Sequence, residues 1–116
     1  MAKHRNEVAL DELAEIASAL GEPKRLLALA MLERGELCLC DLTDALALSP
    51  STVSNHMAIL KRAGLVESRK DGRWAHFRLA DPDPSSATTQ ALRWALEHLP
   101  KSVVPSSACS NKECCP

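Results

Sequence analysis

Five cysteines carry the most distinctive chemistry in this 116-residue chain. Cys38 and Cys40 are one residue apart in the segment ELCLCDL, and the last eight residues contain Cys109, Cys114 and Cys115. Thiolates bind soft metals and metalloids in preference to magnesium and calcium. Because the number is odd, the set favours metal ligands or redox groups over a disulfide framework. The alternative is that Cys38 and Cys40 are small core residues and that the other three are idle thiols.

Length and composition bound the structure that must position these thiols. The chain has the usual size of one domain, and its 46% hydrophobic residues include few aromatics, so we expect an aliphatic, mainly helical core. The N-terminal segment lacks the apolar run of a secretory signal, and no stretch approaches the roughly 18 apolar residues of a membrane span. We therefore expect a cytoplasmic protein with no membrane partner, whose reducing surroundings keep the thiols free.

Apolar residues at helical spacing predict three helices before residue 48. The first ends at Gly21, the second runs from Pro23 towards Gly35, and the third is short. A proline suits the first helical position because the N–H that it lacks would have no partner there. The apolar positions are Leu10, Leu13, Ile16, Ala17 and Leu20, then Leu26, Leu27, Ala30 and Met31, then Leu39, Leu42, Ala45 and Leu46.

Ser49 and Pro50 predict the start of a fourth helix, because a serine oxygen caps free amides and proline follows it at the first helical position. Gly64 ends this helix, and its buried stripe is expected at Val53, Met57 and Leu60.

The segment after Gly64 changes from helical to strand-like spacing. Two strands around an Asp71-Gly72 turn predict a β-hairpin, and a last helix is expected from about residue 87 to residue 99. The predicted fold is therefore mainly α with a small β-hairpin.

The third and fourth helices, joined by a short turn, have the arrangement of a helix-turn-helix, in which the second helix reads base edges in the major groove. Ser, Thr and Asn bond to bases and phosphates. Residues 50–79 contain six basic and two acidic side chains, a net charge of +4, although the whole chain is at −1. The alternative is a solvated amphipathic helix beside a charged hairpin. The expected DNA contacts are Ser51, Thr52, Ser54, Asn55, His56, Lys61 and Arg62 on the helix, and Lys70 and Arg73 at the hairpin tip.

The segment ELCLCDLTDALALSPSTVSNHMAILKRAGLVESRKDGRWAHFRL resembles the core of the ArsR/SmtB family of metal-responsive repressors. Its ELCLCDL resembles the ELCVCDL box of the arsenic-sensing members, STVSNHMAILKRAGLV the recognition helix, and RKDGRWAHFRL the wing. The resemblance implies a winged helix-turn-helix homodimer, with its first and last helices at the interface. Such a protein is not an enzyme and needs no cofactor. It occupies operator double-stranded DNA and leaves it when arsenite, or antimonite, binds as inducer.

This resemblance divides the chain into two parts. Residues 1–100 are expected to form the winged helix-turn-helix DNA-binding and dimerisation domain. Residues 101–116 are expected to form a flexible, cysteine-bearing tail. His56 matches the recognition-helix histidine of the family, and both a DNA contact and a structural hydrogen bond are open to it.

The family's arsenic box often has a third cysteine where this chain has Thr43. Since trivalent arsenic binds three thiolates, Cys38 and Cys40 leave the site one ligand short. Either a tail thiol completes that site or the three tail cysteines form a separate one, and we favour a site that includes Cys38 and Cys40. Residues two apart on a helix point to nearly opposite sides, so this pair can bind one atom only if the first turn of the third helix opens or lies outside the helix. We expect binding to distort that end and to weaken DNA binding through the fourth helix.

The cysteines are also compatible with other ligands and with other classes of protein. A sulfur site also admits cadmium, lead and bismuth. The family's zinc site on the last helix begins with an Asp-x-His pair, and this chain has Asp81-Pro82-Asp83 there, with no histidine, while His98 stands alone, so we expect no such site. His4 and His98 are expected at the surface, and His76 in a structural role. A thiol enzyme is disfavoured by the lack of a Cys-x-x-Cys or glycine-rich phosphate loop. A metal-chelating carrier would keep the cysteines but would not need the reader helix.

Overall fold

The computed structural model describes residues 8–80 and 83–105. Helices dominate, and a small antiparallel sheet lies beside them. The elements in chain order are α1 (Leu10–Leu20), α2 (Pro23–Leu32), β1 (Leu37–Cys38), α3 (Leu39–Leu46), α4 (Pro50–Arg62), β2 (Val66–Asp71), β3 (Trp74–Leu79), α5 (Ala87–His98) and a 3-10 turn (Lys101–Val103). The predicted helices and their order are confirmed.

Side-chain caps determine where four of the five helices begin. Glu22 accepts hydrogen bonds from the first amides of α2, and Ser49 Oγ accepts one from Thr52 N at 3.2 Å at the start of α4. Ser86 caps α5 in the same way, and Cys38 caps α3 with its sulfur. Each cap satisfies an amide that has no partner inside its helix.

The aliphatic core is built mainly by α2, α3 and α4. The predicted stripe of α4 is confirmed, because Val53, Met57 and Leu60 are fully buried. They pack with Leu29 of α2 and Leu42 of α3, which are also fully buried. Burial of one such side chain contributes about 1.5 to 3 kcal/mol. The core therefore holds α3 and α4 as one rigid pair.

The sheet has three strands in the order β1-β3-β2, so it exceeds the predicted two-stranded hairpin. β1 pairs antiparallel with β3, with Leu37 opposite Phe77 and Cys38 opposite His76. The turn between β2 and β3 consists of Gly72 and the following residue, one position later than predicted, and Gly72 has a φ of +64°. Glycine takes this left-handed conformation without a Cβ clash.

Ordered structure continues past residue 100, where the tail was expected to begin. Lys101 Nζ lies 3.0 Å from Glu33 Oε1 at the end of α2, and Val104 packs against the core. Within the described ranges, no helix combines the length and apolarity needed to cross a membrane. His4 and the cysteines at 109, 114 and 115 lie outside the described residues.

Candidate DNA-binding surface and metal site

The outer face of α4 presents a row of small polar side chains. Ser51, Thr52, Ser54 and Asn55 are exposed, while Val53 between them is buried. The turn before α4 passes through Ala47, which has a φ of +57° and ends α3. A short helix, a tight turn and a second helix with an uncovered polar face are the geometry of a helix-turn-helix reader.

The basic residues of this region divide into two groups. Arg69 Nη2 lies 2.7 Å from Glu36 Oε1, and Arg78 Nη2 lies 2.7 Å from Glu67 Oε1. In contrast, the described part of the chain offers no ion-pair partner to the four basic side chains predicted to contact DNA, and all four are exposed. These are Lys61, Arg62, Lys70 and Arg73.

The Glu36–Arg69 pair ties the start of β1 to β2 across the intervening strand. Nε of Arg69 donates to Glu36 Oε2 at 3.0 Å, and Nη2 donates to Oε1. The hydrogen bond from Arg69 lowers the pKa of Glu36, partly opposed by desolvation, and the charges of Arg69, His76 and Arg78 lower it further. The same hydrogen bond raises the pKa of Arg69. The two-pronged contact is geometrically specific, although its exposure limits its contribution to stability.

Cys38 is both the last residue of β1 and the N-cap of α3. Its sulfur accepts a hydrogen bond from Asp41 N at 3.4 Å, and Asp41 Oδ2 accepts one from Cys38 N at 3.2 Å. These reciprocal bonds form a capping box in which sulfur takes the place of the usual hydroxyl. Cys38 is buried and Cys40 is half-buried.

The cap geometry brings three metal-ligating groups together. The sulfurs of Cys38 and Cys40 and a carboxylate oxygen of Asp41 all lie within 4.8 Å of one another. Cys38 precedes the helix, so the two sulfurs lie close together without any opening of its first turn. The expected distortion of α3 is therefore not required for convergence. Asp41 was not predicted, although Cys38-x-x-Asp41 has the spacing of a capping box.

Both described cysteines are in disulfide bonds, so the expectation of free thiols is not met in this structure. A disulfide-bonded cysteine carries no thiolate. Metal binding requires reduction, because the thiolate is the ligand.

A cleft of about 570 Å³ lies between α3, the start of α4 and the hairpin tip. Cys40 and Thr43 line it from α3, Ser54 from α4, and Lys70 and Arg73 from the hairpin. Thr43, at the family's third cysteine position, donates its hydroxyl to Leu39 O at 2.8 Å. One cleft therefore joins a candidate metal ligand to three candidate DNA contacts.

The three described histidines occupy different environments. His56 is half-buried on α4, and its Nδ1 lies 3.1 Å from Nη1 of Arg25. His76 lies in β3, half-buried, opposite Cys38 on one side and Arg69 on the other. His98 is exposed on α5, with its Nδ1 2.8 Å from Trp94 O.

Comparison with known proteins also indicates a helix-turn-helix regulator. Residues 22–68 match the family described as "Bacterial regulatory protein, arsR family". Over 72 residues the chain is 42% identical to an uncharacterised HTH-type transcriptional regulator from Methanocaldococcus jannaschii, covering 61% of this chain and 81% of that protein. It is 40% identical over 74 residues to the arsenical resistance operon repressor of Escherichia coli, covering 63% of each chain.

A solved structure shares the fold. The homodimeric winged helix-turn-helix DNA-binding domain of a Mycobacterium bovis protein superimposes with a TM-score of 0.62 at 29% sequence identity. The match covers 74% of this chain and 73% of that one. The predicted winged helix-turn-helix fold is thereby confirmed.

Proposed function

This chain belongs to the ArsR family of bacterial regulatory proteins, and we propose that it is a homodimeric repressor that binds operator DNA and releases it when trivalent arsenic binds to its cysteines. The observation that carries the proposal is the cleft in which Cys40 lies beside Ser54, Lys70 and Arg73. We also propose that the protein is cytoplasmic, because that is where it would meet operator DNA.

The DNA-binding part of the proposal rests on the surface of α4 and the hairpin. The exposed polar row at Ser51, Thr52, Ser54 and Asn55 suits base edges. Lys61, Arg62, Lys70 and Arg73 are exposed and have no acidic partner in the described ranges, so they are free to neutralise phosphates. The M. bovis domain, whose fold this chain shares, is a DNA-binding one.

The homodimer is supported by apolar side chains that the single chain leaves uncovered. Leu10 and Leu13 on α1 are 81% and 53% exposed, and Trp94 on α5 is 60% exposed. The two helices contact each other. Large exposed apolar groups mark interaction surfaces, and the M. bovis domain is homodimeric.

The inducer is proposed from the ligand chemistry. Two thiolates select soft species, and the E. coli relative is an arsenical resistance operon repressor. Antimonite also binds thiolates, so we propose it as a second inducer. The proposal requires no further cofactor. Arsenic needs a third sulfur, and the Thr43 hydroxyl is a poor substitute because it is committed to Leu39 O. We therefore keep the proposal that Cys109, Cys114 or Cys115 supplies it.

A second inducer class is favoured by one observation. Asp41 places a carboxylate oxygen beside the two sulfurs, so the described residues alone offer a mixed sulfur–oxygen set. An oxygen ligand suits a borderline divalent cation such as cadmium or lead better than it suits arsenic. Bismuth, like arsenic, would depend on the tail thiols.

Two physical routes connect the metal site to the DNA surface. α3 packs on α4, so a shift of the α3 N-terminus moves the reader helix. β1 pairs with β3, so a shift of Cys38 moves the hairpin that carries Lys70 and Arg73. A ligand that prefers the shifted form weakens operator affinity by the same coupling energy, typically about 1 to 3 kcal/mol.

The deciding experiment is a gel shift on the DNA upstream of the protein's own coding sequence, under a reductant that keeps the thiols free. The reduced protein should retard this DNA and release it on addition of arsenite. A protein that binds arsenite but never retards DNA would be a chelating carrier. One that binds DNA and responds to cadmium alone would support the second inducer class.

A further inference from the structure

Arg25 is a buried cation whose contacts join three helices. It lies on α2 with 9% of its surface exposed. Its Nε donates to Ala19 O and its Nη2 donates to Ser18 O, each at 2.9 Å. Both carbonyls belong to the last turn of α1, where a positive charge is favoured, and Ser18 O also accepts a hydrogen bond from Gly21 N. The remaining guanidinium nitrogen, Nη1, faces His56 of α4.

The Arg25–His56 contact determines which nitrogen of the imidazole carries the proton. A guanidinium has only donors, so Nδ1 of His56, at 3.1 Å from Arg25 Nη1, must accept the hydrogen bond. A neutral imidazole that accepts at Nδ1 carries its proton on Nε2. Since two further hydrogen bonds to carbonyls of α1 hold the Arg25 side chain, His56 is kept in this tautomer by a rigid partner.

We propose that Arg25 is a positioning residue that presents Nε2–H of His56 as a neutral hydrogen-bond donor to a phosphate oxygen of the bound DNA. This inference rests on the proposed operator binding. Nδ1 faces the buried guanidinium, so Nε2 is the ring nitrogen that is left to bind a partner outside the chain. Thr52 is exposed one turn earlier on the same face of α4.

A phosphate is the better partner for His56 than a base edge. His56 is half-buried and its ring is tethered to α2, while its neighbours Ser54 and Asn55 are exposed. A side chain recessed on the flank of the reader helix meets the wall of the groove, which is lined by phosphates. Such a contact positions the protein and carries no sequence information.

Removing a neutral hydrogen-bond donor changes DNA affinity and its salt dependence differently from removing a cation. Loss of the donor lowers affinity for operator and unrelated DNA alike, by about 3- to 10-fold per protomer, as expected for one hydrogen bond. The slope of log affinity against log salt should not change, because a neutral group releases no counterion. Loss of a cation such as Lys70 should instead reduce the slope by about one.

The test compares variants of the full-length reduced protein on operator and unrelated DNA over a range of salt concentrations. His56→Ala and His56→Asn should show the uniform loss with an unchanged slope. His56→Gln should retain more affinity, because its amide nitrogen can take the place of Nε2–H. His98→Ala, which changes an exposed histidine on α5, is the matched control and should bind like wild type.

The positioning role of Arg25 is tested by nitrogen NMR, which shows which ring nitrogen of His56 carries the proton. Wild type should show an unprotonated Nδ1 and a protonated Nε2, whereas Arg25→Lys should show a mixture of tautomers and a matching loss of DNA affinity. Arg93→Lys, at an exposed arginine, should change neither. If Arg25→Lys does not fold, the tautomer of wild-type His56 and the DNA affinities of the His56 variants still test the inference.

Two results would overturn the inference: a wild-type His56 protonated on Nδ1, or a His56→Ala protein with wild-type affinity and slope. If wild type binds no DNA at all, the proposed function fails instead, and the tautomer measurement distinguishes the two cases.

Discussion

Cys38 lies directly opposite His76 in the antiparallel pairing of β1 with β3. On its other side His76 faces Arg69 of β2, so the candidate metal ligand and the hairpin form one hydrogen-bonded sheet. The tip of that sheet carries Lys70 and Arg73. A ligand that displaces Cys38 therefore acts on the predicted DNA contacts through the backbone as well as through the packing of α3.

Replacing Cys38 or Cys40 by Ser should preserve DNA binding and abolish release by arsenite. Serine is a preferred N-cap, so Cys38→Ser keeps α3 capped while removing a soft ligand. The measurement is operator binding during an arsenite titration under reducing conditions. Thr43→Val, in the same helix, should stay inducible. If the cysteine variants remain inducible, the tail is a separate sensor.

Truncation after Ser107 removes the remaining three thiols. If one of them completes the site, the truncated protein should need at least about 10- to 100-fold more arsenite, since loss of a second-sphere partner alone costs that much metal affinity. X-ray absorption should then count three sulfurs around arsenic in the full chain. Release at the wild-type arsenite concentration would exclude the tail from the mechanism, and two arsenics per chain would indicate separate sites.

Asp41→Asn separates the two inducer classes. The amide oxygen can still accept from Cys38 N, so the cap is largely kept, but the anionic ligand is lost. We expect cadmium-driven release to weaken and arsenite-driven release to change little. Asp41→Ala should in addition destabilise the protein by about 1 kcal/mol through the broken cap, as measured by urea unfolding. Equal losses for both inducers would argue against a carboxylate ligand.

The reader helix is tested by replacing Ser54 and Asn55 together with Ala. Specific affinity should fall while binding to unrelated DNA is retained, because these side chains are expected at base edges. Lys70→Ala or Arg73→Ala should weaken both and reduce the salt slope by about one. Arg93→Ala is the control. A double variant that holds its operator as tightly as wild type would refute the assignment.

The Glu36–Arg69 pair predicts a pH-dependent contribution to folding. Because the pKa of Glu36 in the folded protein is lowered from its ordinary value of 4.5, the pair stabilises the fold above that value and the effect disappears as pH falls through the lowered one. Glu36→Gln should therefore unfold at slightly lower urea than wild type at pH 7, and the difference should be smaller at pH 3. High salt should shrink the difference at pH 7. An identical difference at both pH values would contradict the assignment.

Local signals in the sequence were sufficient for most of the fold. The starts of α2 and α4 at Pro23 and Pro50 depend on residues adjacent in the chain, and so does the buried stripe of α4. β1 could not be predicted in this way, because its two residues become a strand only by pairing with Phe77 and His76, far along the chain.

The candidate site was predictable in its residue types more than in its geometry. The spacing of Cys38 and Cys40 indicated a soft-metal site, but their convergence follows from the position of Cys38 just outside α3. Arg25 was not predicted because arginine is almost never buried without a partner, and its partners are backbone carbonyls of α1 that carry no sequence signal.

The brevity of β1 has a consequence for the solubility of the induced protein. An uncovered strand edge is a template on which another chain can pair, and this is a common origin of aggregation. An inducer that pulled Cys38 out of the sheet would uncover β3 only opposite Leu37 and Cys38, a stretch of two residues. Strands in globular proteins are usually longer than two residues, so this newly uncovered stretch adds little to the edge of β3. If arsenite acts by displacing Cys38, the displacement should therefore add little to the tendency of the protein to aggregate.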